Sequence, residues 1–382
     1  MPMSNSSDVI VVGAGVIGAA CAYYAACSGL SVTVVDRGPV AAGTTGAGEG
    51  NLLVSDKEPG PELELALLSA TLWRELAQEL PARIEYEAKG GLVVASDATG
   101  MAELRKFAET QAGAGVTAEE IPPGRLHDLE PHLAPGLGGG FHYPQDAQVQ
   151  PALATAHLLR ASGARVRTGE EVTAVLTGPH GKVRGVRTAA GDLHAPYVVN
   201  AAGTWGGEVA WLAGAHLPVL PRRGFVLVTE PLPRLVRHKV YASDYVSGVA
   251  SGSAALQTSV VVEGTPAGPV LIGGSRERVG FDRTLSVEAL RRLAAQATML
   301  FPVLAGVRAM RTYAGFRPYL PDHLPAIGAD PRVPGLLHAC GHEGAGIGLA
   351  PATGLVVARL LTGDQPPLDV GPFRPGRFAP AA

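Results

Sequence analysis

Asp8-Val-Ile-Val-Val-Gly13-Ala-Gly15-Val-Ile-Gly18 stands near the N-terminus of this chain. Its β-branched run is of the kind that forms a buried parallel strand, and the glycines follow it directly. After Gly18 an alanine-rich stretch predicts a helix to about Ser28, where Gly29 stops it. Residues 31–35 then alternate into a second strand that ends at Asp36. Strand, glycines, helix, strand and terminal acid in register make a β-α-β unit with the logic of a dinucleotide site. Gly13 allows the tight turn, and Gly15 lets a pyrophosphate approach the backbone. Val16 and Ile17 open the helix toward that pyrophosphate, and Gly18 lets the helix pack on the strand. Asp36 stands where a ribose hydroxyl needs an acceptor, with Arg37 beside it.

The rest of the composition narrows the class. With 382 residues, 46% hydrophobic and 17% charged, the chain is globular and long enough for two domains. A net charge of -3 with scattered Lys and Arg argues against a nucleic-acid partner. Cys21, Cys27 and Cys340 make neither a disulfide framework nor a CxxC pair, which predicts a reducing, cytoplasmic setting. No basic leader and no apolar run of about 18 residues is present, so neither a signal peptide nor a membrane span is expected. His342-Glu343 begins like a zinc motif, but Gly346 stands where the second histidine belongs, so no metal is expected. Gly178-Pro-His-Gly-Lys182 lacks the spacing of a phosphate loop and reads as a hairpin turn.

Asp36 suits NAD or the adenosine half of FAD equally. The choice turns on two further glycine clusters. Gly43-Thr-Thr-Gly-Ala-Gly-Glu-Gly-Asn51 follows the second strand and offers small residues, the hydroxyls of Thr44 and Thr45, and free amides around Gly48. Near the other end stands Cys340-Gly-His-Glu-Gly-Ala-Gly-Ile-Gly-Leu-Ala-Pro-Ala-Thr-Gly354, which leads into a predicted helix over 349–361. Bare backbone there serves either a flexible loop or a flat or charged guest.

The opening unit, the 43–51 loop, Val199-Asn-Ala-Ala-Gly-Thr-Trp205, Gly315-Phe-Arg-Pro318 and the terminal glycine cluster, in this order along the whole chain, resemble the D-amino-acid oxidase group of flavoproteins. That group includes glycine oxidase, sarcosine oxidases and bacterial D-amino-acid dehydrogenases. Arg222-Arg-Gly-Phe225, the 264–268 segment, Gly273-Gly-Ser-Arg276 and the Gly341–Gly346 loop are most similar to the FAD-bearing subunits of opine oxidases and hydroxyproline dehydrogenases.

The resemblance implies an α/β fold. A Rossmann-like FAD-binding domain (1–56, 145–215 and 320–382) would interleave with an α+β substrate domain (57–144 and 216–319) built on a largely antiparallel sheet. Helices are expected over 61–80 and 151–161, and substrate-domain strands over 83–87, 92–95 and within 218–313. Strands over 164–167 and 171–175 are expected to extend the cofactor sheet. The resemblance places noncovalent FAD on Gly13, Gly15, Val16, Ile17, Gly18, Asp36, Arg37, Thr44, Thr45 and Gly48. Val172 would hold the adenine by its backbone, although a core valine reads the same way. Ala202 and Gly203 would lie beneath the cofactor, and Gly344, Ala345, Gly346, Ile347 and Gly348 would bring amides and a helix N-terminus to the flavin pyrimidine. Cys340 reads as a small buried residue, not a flavin attachment point.

Arg317 matches the family arginine that forks onto the substrate carboxylate. Tyr245 is the second catalytic candidate, beside a Ser/Gly-rich stretch, 247–253, that reads as a lid or a long turn. The implied reaction is hydride transfer from the α-carbon of an amino or imino acid (a D-amino acid, hydroxyproline, N-alkyl glycine or opine) to flavin N5, giving an imine. Two alternatives stay open: an FAD-bearing subunit inactive without its partner, and a hydroxy-acid dehydrogenase. Gly344 replaces an arginine found in glycine oxidase. Electrons are therefore expected to leave to a protein acceptor, such as a partner subunit, or to a dye, and only slowly to oxygen.

Overall fold

The computed structural model describes residues 6–80, 84–244 and 252–378. The opening strand Val9–Val12 lies fourth in a six-stranded sheet. The order runs Ala326–Ala329, Leu336–Cys340, Tyr197–Asn200, Val9–Val12, Val32–Asp36, Arg165–Thr168. Every neighbouring pair is parallel except the outermost, Ala326–Ala329 with Leu336–Cys340. Val9, Ile10 and Val11 are fully buried, as a strand covered on both faces requires.

One face carries three helices, Val16–Cys27, Pro151–Ser162 and Gly346–Thr362. The first and last of these approach closely because both are small where they cross. A side chain on Gly354 would meet the backbone of Ala20 at 2.6 Å. The other face is covered by a three-stranded antiparallel sheet of Val172–Thr177, Val183–Thr188 and Gly191–His194. This corrects one expectation. Residues 165–168 do extend the main sheet, whereas Val172–Thr177 turns away, pairs with its own hairpin across residues 178–182, and buries Val172 and Val175 as a lid on Ile10 and Val198.

A second, eight-stranded sheet runs Ala309–Tyr319, Leu220–Thr229, Val270–Arg276, Gln257–Gly264, Lys239–Ala242, Gly91–Ala95, Gly139–Tyr143, Glu119–Ile121. It is antiparallel apart from one parallel pair, Lys239–Ala242 with Gly91–Ala95. Helix Val287–Leu300 covers it with Ala289, Leu293, Ala297 and Leu300, one buried stripe at helical spacing. The Ser286 hydroxyl caps that helix by accepting from the Ala289 amide at 3.2 Å.

Among residues 84–87 the expected strand is reduced to a single bridge, Glu87 to Gln148. Helix Pro61–Glu79 packs on the terminal helix of the first layer, where Trp73 Nε1 donates to the Ile347 carbonyl at 3.0 Å. That carbonyl is available because Pro351, four residues on, has no N–H to give it. The terminal helix begins at Gly346, three residues before the expected start, with Trp73 anchoring its first turn at the Ile347 carbonyl.

The junction of the first strand and helix leaves no room for side chains. A Cβ on Gly18 would lie 1.9 Å from the Gly13 carbonyl oxygen, and one on Gly13, at φ +118°, would lie 2.3 Å from that of Ala201. Gly18→Ala should therefore cost at least about 1–3 kcal/mol, read as a lowered midpoint of chemical denaturation. An unchanged midpoint would show that helix and strand can part without penalty.

Candidate active site

A cavity of about 1140 Å³ runs between the two sheets, more than the ~300–1,000 Å³ of a drug-sized site. Its lining includes Asp36, Arg37 and Val172, the turn residues Gly13, Gly15, Val16 and Ile17, then Thr44, Thr45, Gly48, Ala202 and Gly203, and also Arg317, Gly344, Gly346 and Ile347. Nearly all the residues singled out from sequence thus border one continuous space. Gly18 does not line it and acts through helix packing. Ala345 and Gly348 face a smaller cavity of about 280 Å³, which shares Asn51, Arg317, Glu343 and Gly344 with the large one. Tyr245 and residues 247–251 lie outside the described residues.

Each group is held by identifiable contacts. Asp36 ends its strand by accepting from the Ala14 amide and the Gly38 amide, both at 2.7 Å, which ties the glycine turn to the second strand. Arg37 lies 4.4 Å over the Trp205 ring and pairs with Glu171 at 3.2 Å. The Thr45 hydroxyl accepts from the Val16 amide at 3.0 Å, and the Thr44 hydroxyl donates to the Phe316 carbonyl at 2.6 Å. Gly15 and Ala345, which precede the two cavity-facing helices, offer no side-chain cap, so first-turn amides other than that of Val16 remain for a ligand.

Arg317 owes its position to the sheet. It pairs in register with Arg222, and two-residue alternation puts Gly224 and Gly315 on the same face. A Cβ on Gly224 would sit 2.1 Å from Arg317 Nη1, and one on Gly315 would sit 2.7 Å from the Cβ of Ala47. The first glycine gives the guanidinium its slot, and the second lets the 43–51 loop pack onto the strand. Arg222 is neutralised by a short bond to Glu343, which reaches it from a left-handed backbone, φ +47°, and also bonds His323 Nδ1 at 3.0 Å. Arg317 is different. Its Nη1 donates to the Ser275 carbonyl at 2.9 Å, and among the described residues it forms no salt bridge.

Sequence reasoning missed four contributors to this space. Glu49 and Asn51 belong to a loop whose glycines drew the attention, Trp205 stood in a quoted motif without a role, and His342 was weighed only as a metal ligand. Among the described residues no cluster suits a metal, and His342 instead bonds the Thr353 hydroxyl at 3.0 Å. Cys340 is buried and donates to the Asn200 carbonyl at 3.0 Å. Burial pushes its thiol up to about 12, unlike a reactive thiolate.

The chain belongs to the FAD dependent oxidoreductase family, abbreviated DAO, whose description matches residues 8–360. It is an enzyme of that class, and its cofactor is FAD. Hydrogen cyanide synthase subunit HcnC of Pseudomonas aeruginosa is 32% identical over 428 aligned residues, covering 99% of this chain and 98% of that one. The crystal structure of glycine oxidase from Geobacillus kaustophilus superposes with a TM-score of 0.88 at 28% identity, covering 98% of this chain and 100% of the other. L-proline dehydrogenase from P. horikoshii gives 0.88 at 25% identity, with 98% of both chains covered. Among the described residues no helix is long and apolar enough to cross a membrane.

Burial holds the His342 imidazole at about 3, well below its ordinary 6.5. Between those values the unfolded chain binds a proton that the folded chain refuses, so this residue costs stability as pH falls below about 6.5. Wild type should lose more stability than His342→Gln between about pH 7.5 and about pH 5 in denaturant titrations. Equal losses would place the imidazole in a solvated setting.

Proposed function

We propose that this enzyme oxidises the α-carbon of an amino or imino acid to an imine, with Arg317 holding the substrate carboxylate where the two cavities meet. The observation that carries the reading is the contrast among the arginines of one strand pair. Arg222 and Arg223 are matched by Glu343 and Glu277, whereas Arg317 borders both cavities with a backbone carbonyl as its bonded partner. A planar guanidinium offers paired donors to paired oxygens, so a carboxylate is the fitting ligand.

The cofactor would lie along the large cavity. The Gly13–Gly18 turn and the first-helix amides would take the pyrophosphate, and Asp36 and Arg37 the adenosine ribose. The Val172 backbone would meet the adenine. Thr44, Thr45, Gly48, Ala202 and Gly203 would border the middle, and residues 344–348 the flavin pyrimidine. FAD supplies the acceptor for the substrate hydride. The protein contributes alignment, plus amides and a helix N-terminus for the charge that reduction creates. The high thiol pKa and buried bond of Cys340 favour a noncovalent cofactor.

A second reading has its own support. HcnC, similar over nearly the whole chain, is by name a subunit, so this chain could pass electrons to a partner protein and depend on it for turnover. Gly344 adds no charge to the flavin edge, which fits a protein or dye acceptor better than oxygen. Anaerobic bleaching of the isolated holoprotein by substrate would show that the first half-reaction needs no partner.

The purified protein should be yellow, release unmodified FAD on denaturation, and bleach with at least one member of a panel of D-amino acids, N-methylglycine, prolines and opines. Arg317→Met should retain FAD yet lose tens-fold or more in turnover efficiency, as expected for removing a carboxylate partner worth about 2–5 kcal/mol. Normal flavin reduction by that variant would move the anchor elsewhere. Asp36→Ala should weaken FAD binding to the apoprotein by on the order of 1.5–3 kcal/mol, read by fluorescence titration. Unchanged affinity would remove Asp36 from the site.

A further inference from the structure

Glu49 is a buried carboxylate with one oxygen left without a hydrogen bond among the described residues. Its side chain is 7% exposed, and it borders the large cavity together with Arg317. Among the described residues its Oε1 has no hydrogen bond, and its distance to Lys239 Nζ is 3.9 Å. The lysine is already engaged: it makes a short bond to Glu263, which also accepts from the Gly50 amide at 3.1 Å. Two residues on, Asn51 Oδ1 is likewise buried without a partner and borders the same cavity. Two acceptors with unmet capacity inside a cavity point to a donor-bearing ligand.

The local charges say which donor. Glu49 and Glu263 are balanced by Lys239 and Arg317, so a carboxylate bound on Arg317 leaves one negative charge in excess. A cationic amine on the same ligand restores neutrality. Gly273 is shaped for this arrangement, since a Cβ there would lie 2.4 Å from Glu49 Oε2. The motif Gly273-Gly-Ser-Arg276 thereby gains a purpose.

We propose that Glu49, with Asn51 beside it, receives the substrate amino group while Arg317 holds the carboxylate, and that Glu49 takes the proton the ammonium must lose before the α-hydrogen departs. This rests on the amine-oxidation reading above. In the step one N–H bond breaks, its electron pair stays on nitrogen as the lone pair that later forms the imine, and one O–H bond forms on Glu49. No oxidant is consumed until the hydride leaves for FAD.

The groups facing Glu49 set its basicity. Burial raises its pKa to about 7, Lys239 opposes that rise, Glu263 adds to it, and Arg317 and the side chain of Asn51 oppose it. Tyr313, on the Arg317 strand, stays protonated because burial lifts its pKa far above neutrality. A substrate carboxylate on Arg317 screens the opposing charge, so binding itself strengthens the base.

The test is anaerobic stopped-flow reduction of the holoenzyme by whichever of proline, hydroxyproline, N-methylglycine or glycine bleaches it fastest, followed across pH 6 to 10. Wild type should fall below about pH 7 and level off above it. Glu49→Gln should be slower by tenfold or more near neutrality and gain about tenfold per pH unit toward pH 10, as the free amine becomes abundant. Glu49→Asp should restore the plateau. Acetate, which lacks the amine, should bind Glu49→Gln at least as well as wild type, since the excess negative charge is gone, and fail to bind Arg317→Met. If Glu49→Gln cannot hold FAD, Gly273→Ala serves instead, because it crowds the carboxylate without removing its charge. It should weaken the amine substrate and spare acetate.

An unaltered pH profile in Glu49→Gln, or equal weakening of amine and acetate, overturns the assignment while leaving amine oxidation intact. A wild-type flavin that no amine bleaches, in protein that still binds acetate, overturns both.

Discussion

Everything at this site depends on a contact between bare backbones. The Gly13 turn touches Ala201 on one side and Gly18 on the other, with no space for a side chain at either. That junction brings together the end of the first strand, the N-terminus of the first helix and the strand end at residues 200–203. Asp36 closes the arrangement by accepting from the Ala14 amide. Helix amides, a strand-end carboxylate and small residues consequently border one cavity, and the dinucleotide chemistry of the family follows from that convergence.

Around Arg317 the constraint is electrostatic. Antiparallel register sets Arg222 directly across from Arg317, a like-charge pair that destabilises a sheet unless something intervenes. Glu343 intervenes for Arg222, at the cost of a left-handed backbone. Arg317 is left in a slot cut by Gly224 and Gly344, held by one carbonyl and open to a ligand. Lys239, Glu263 and Glu49 continue the pattern beneath it, with one acceptor more than the buried donors satisfy.

Much of this could be read from the chain. Local signals were sufficient where the constraint is local: the β-α-β unit, the glycine that ends its helix, and the hairpin at 178–182. They failed where tertiary pairing decides. Residues 171–175 look like any short strand, and only the hairpin that follows draws them away from the main sheet. Glu49 resembled a loop acid because its meaning lies in Lys239, Glu263 and Gly273, each more than 180 positions away in the sequence. The early start of the terminal helix was hidden because its glycines signal loop by propensity, while the packing of Trp73 on Ile347 holds them in a helix.

The central claim is that the cavity end at Arg317 and Glu49 is built to oxidise a carbon bearing both a carboxylate and an amine. The most direct measurement compares two ligands of one skeleton, an amino acid and the corresponding 2-hydroxy acid, each with hydrogen or deuterium on the α-carbon, in anaerobic single-turnover reduction of the bound flavin. The account predicts that only the amino acid bleaches the flavin at a useful rate, and that α-deuteration slows that bleaching. Faster reduction by the hydroxy acid, or reduction by the amino acid that deuterium leaves unchanged across all substrate concentrations, would contradict it.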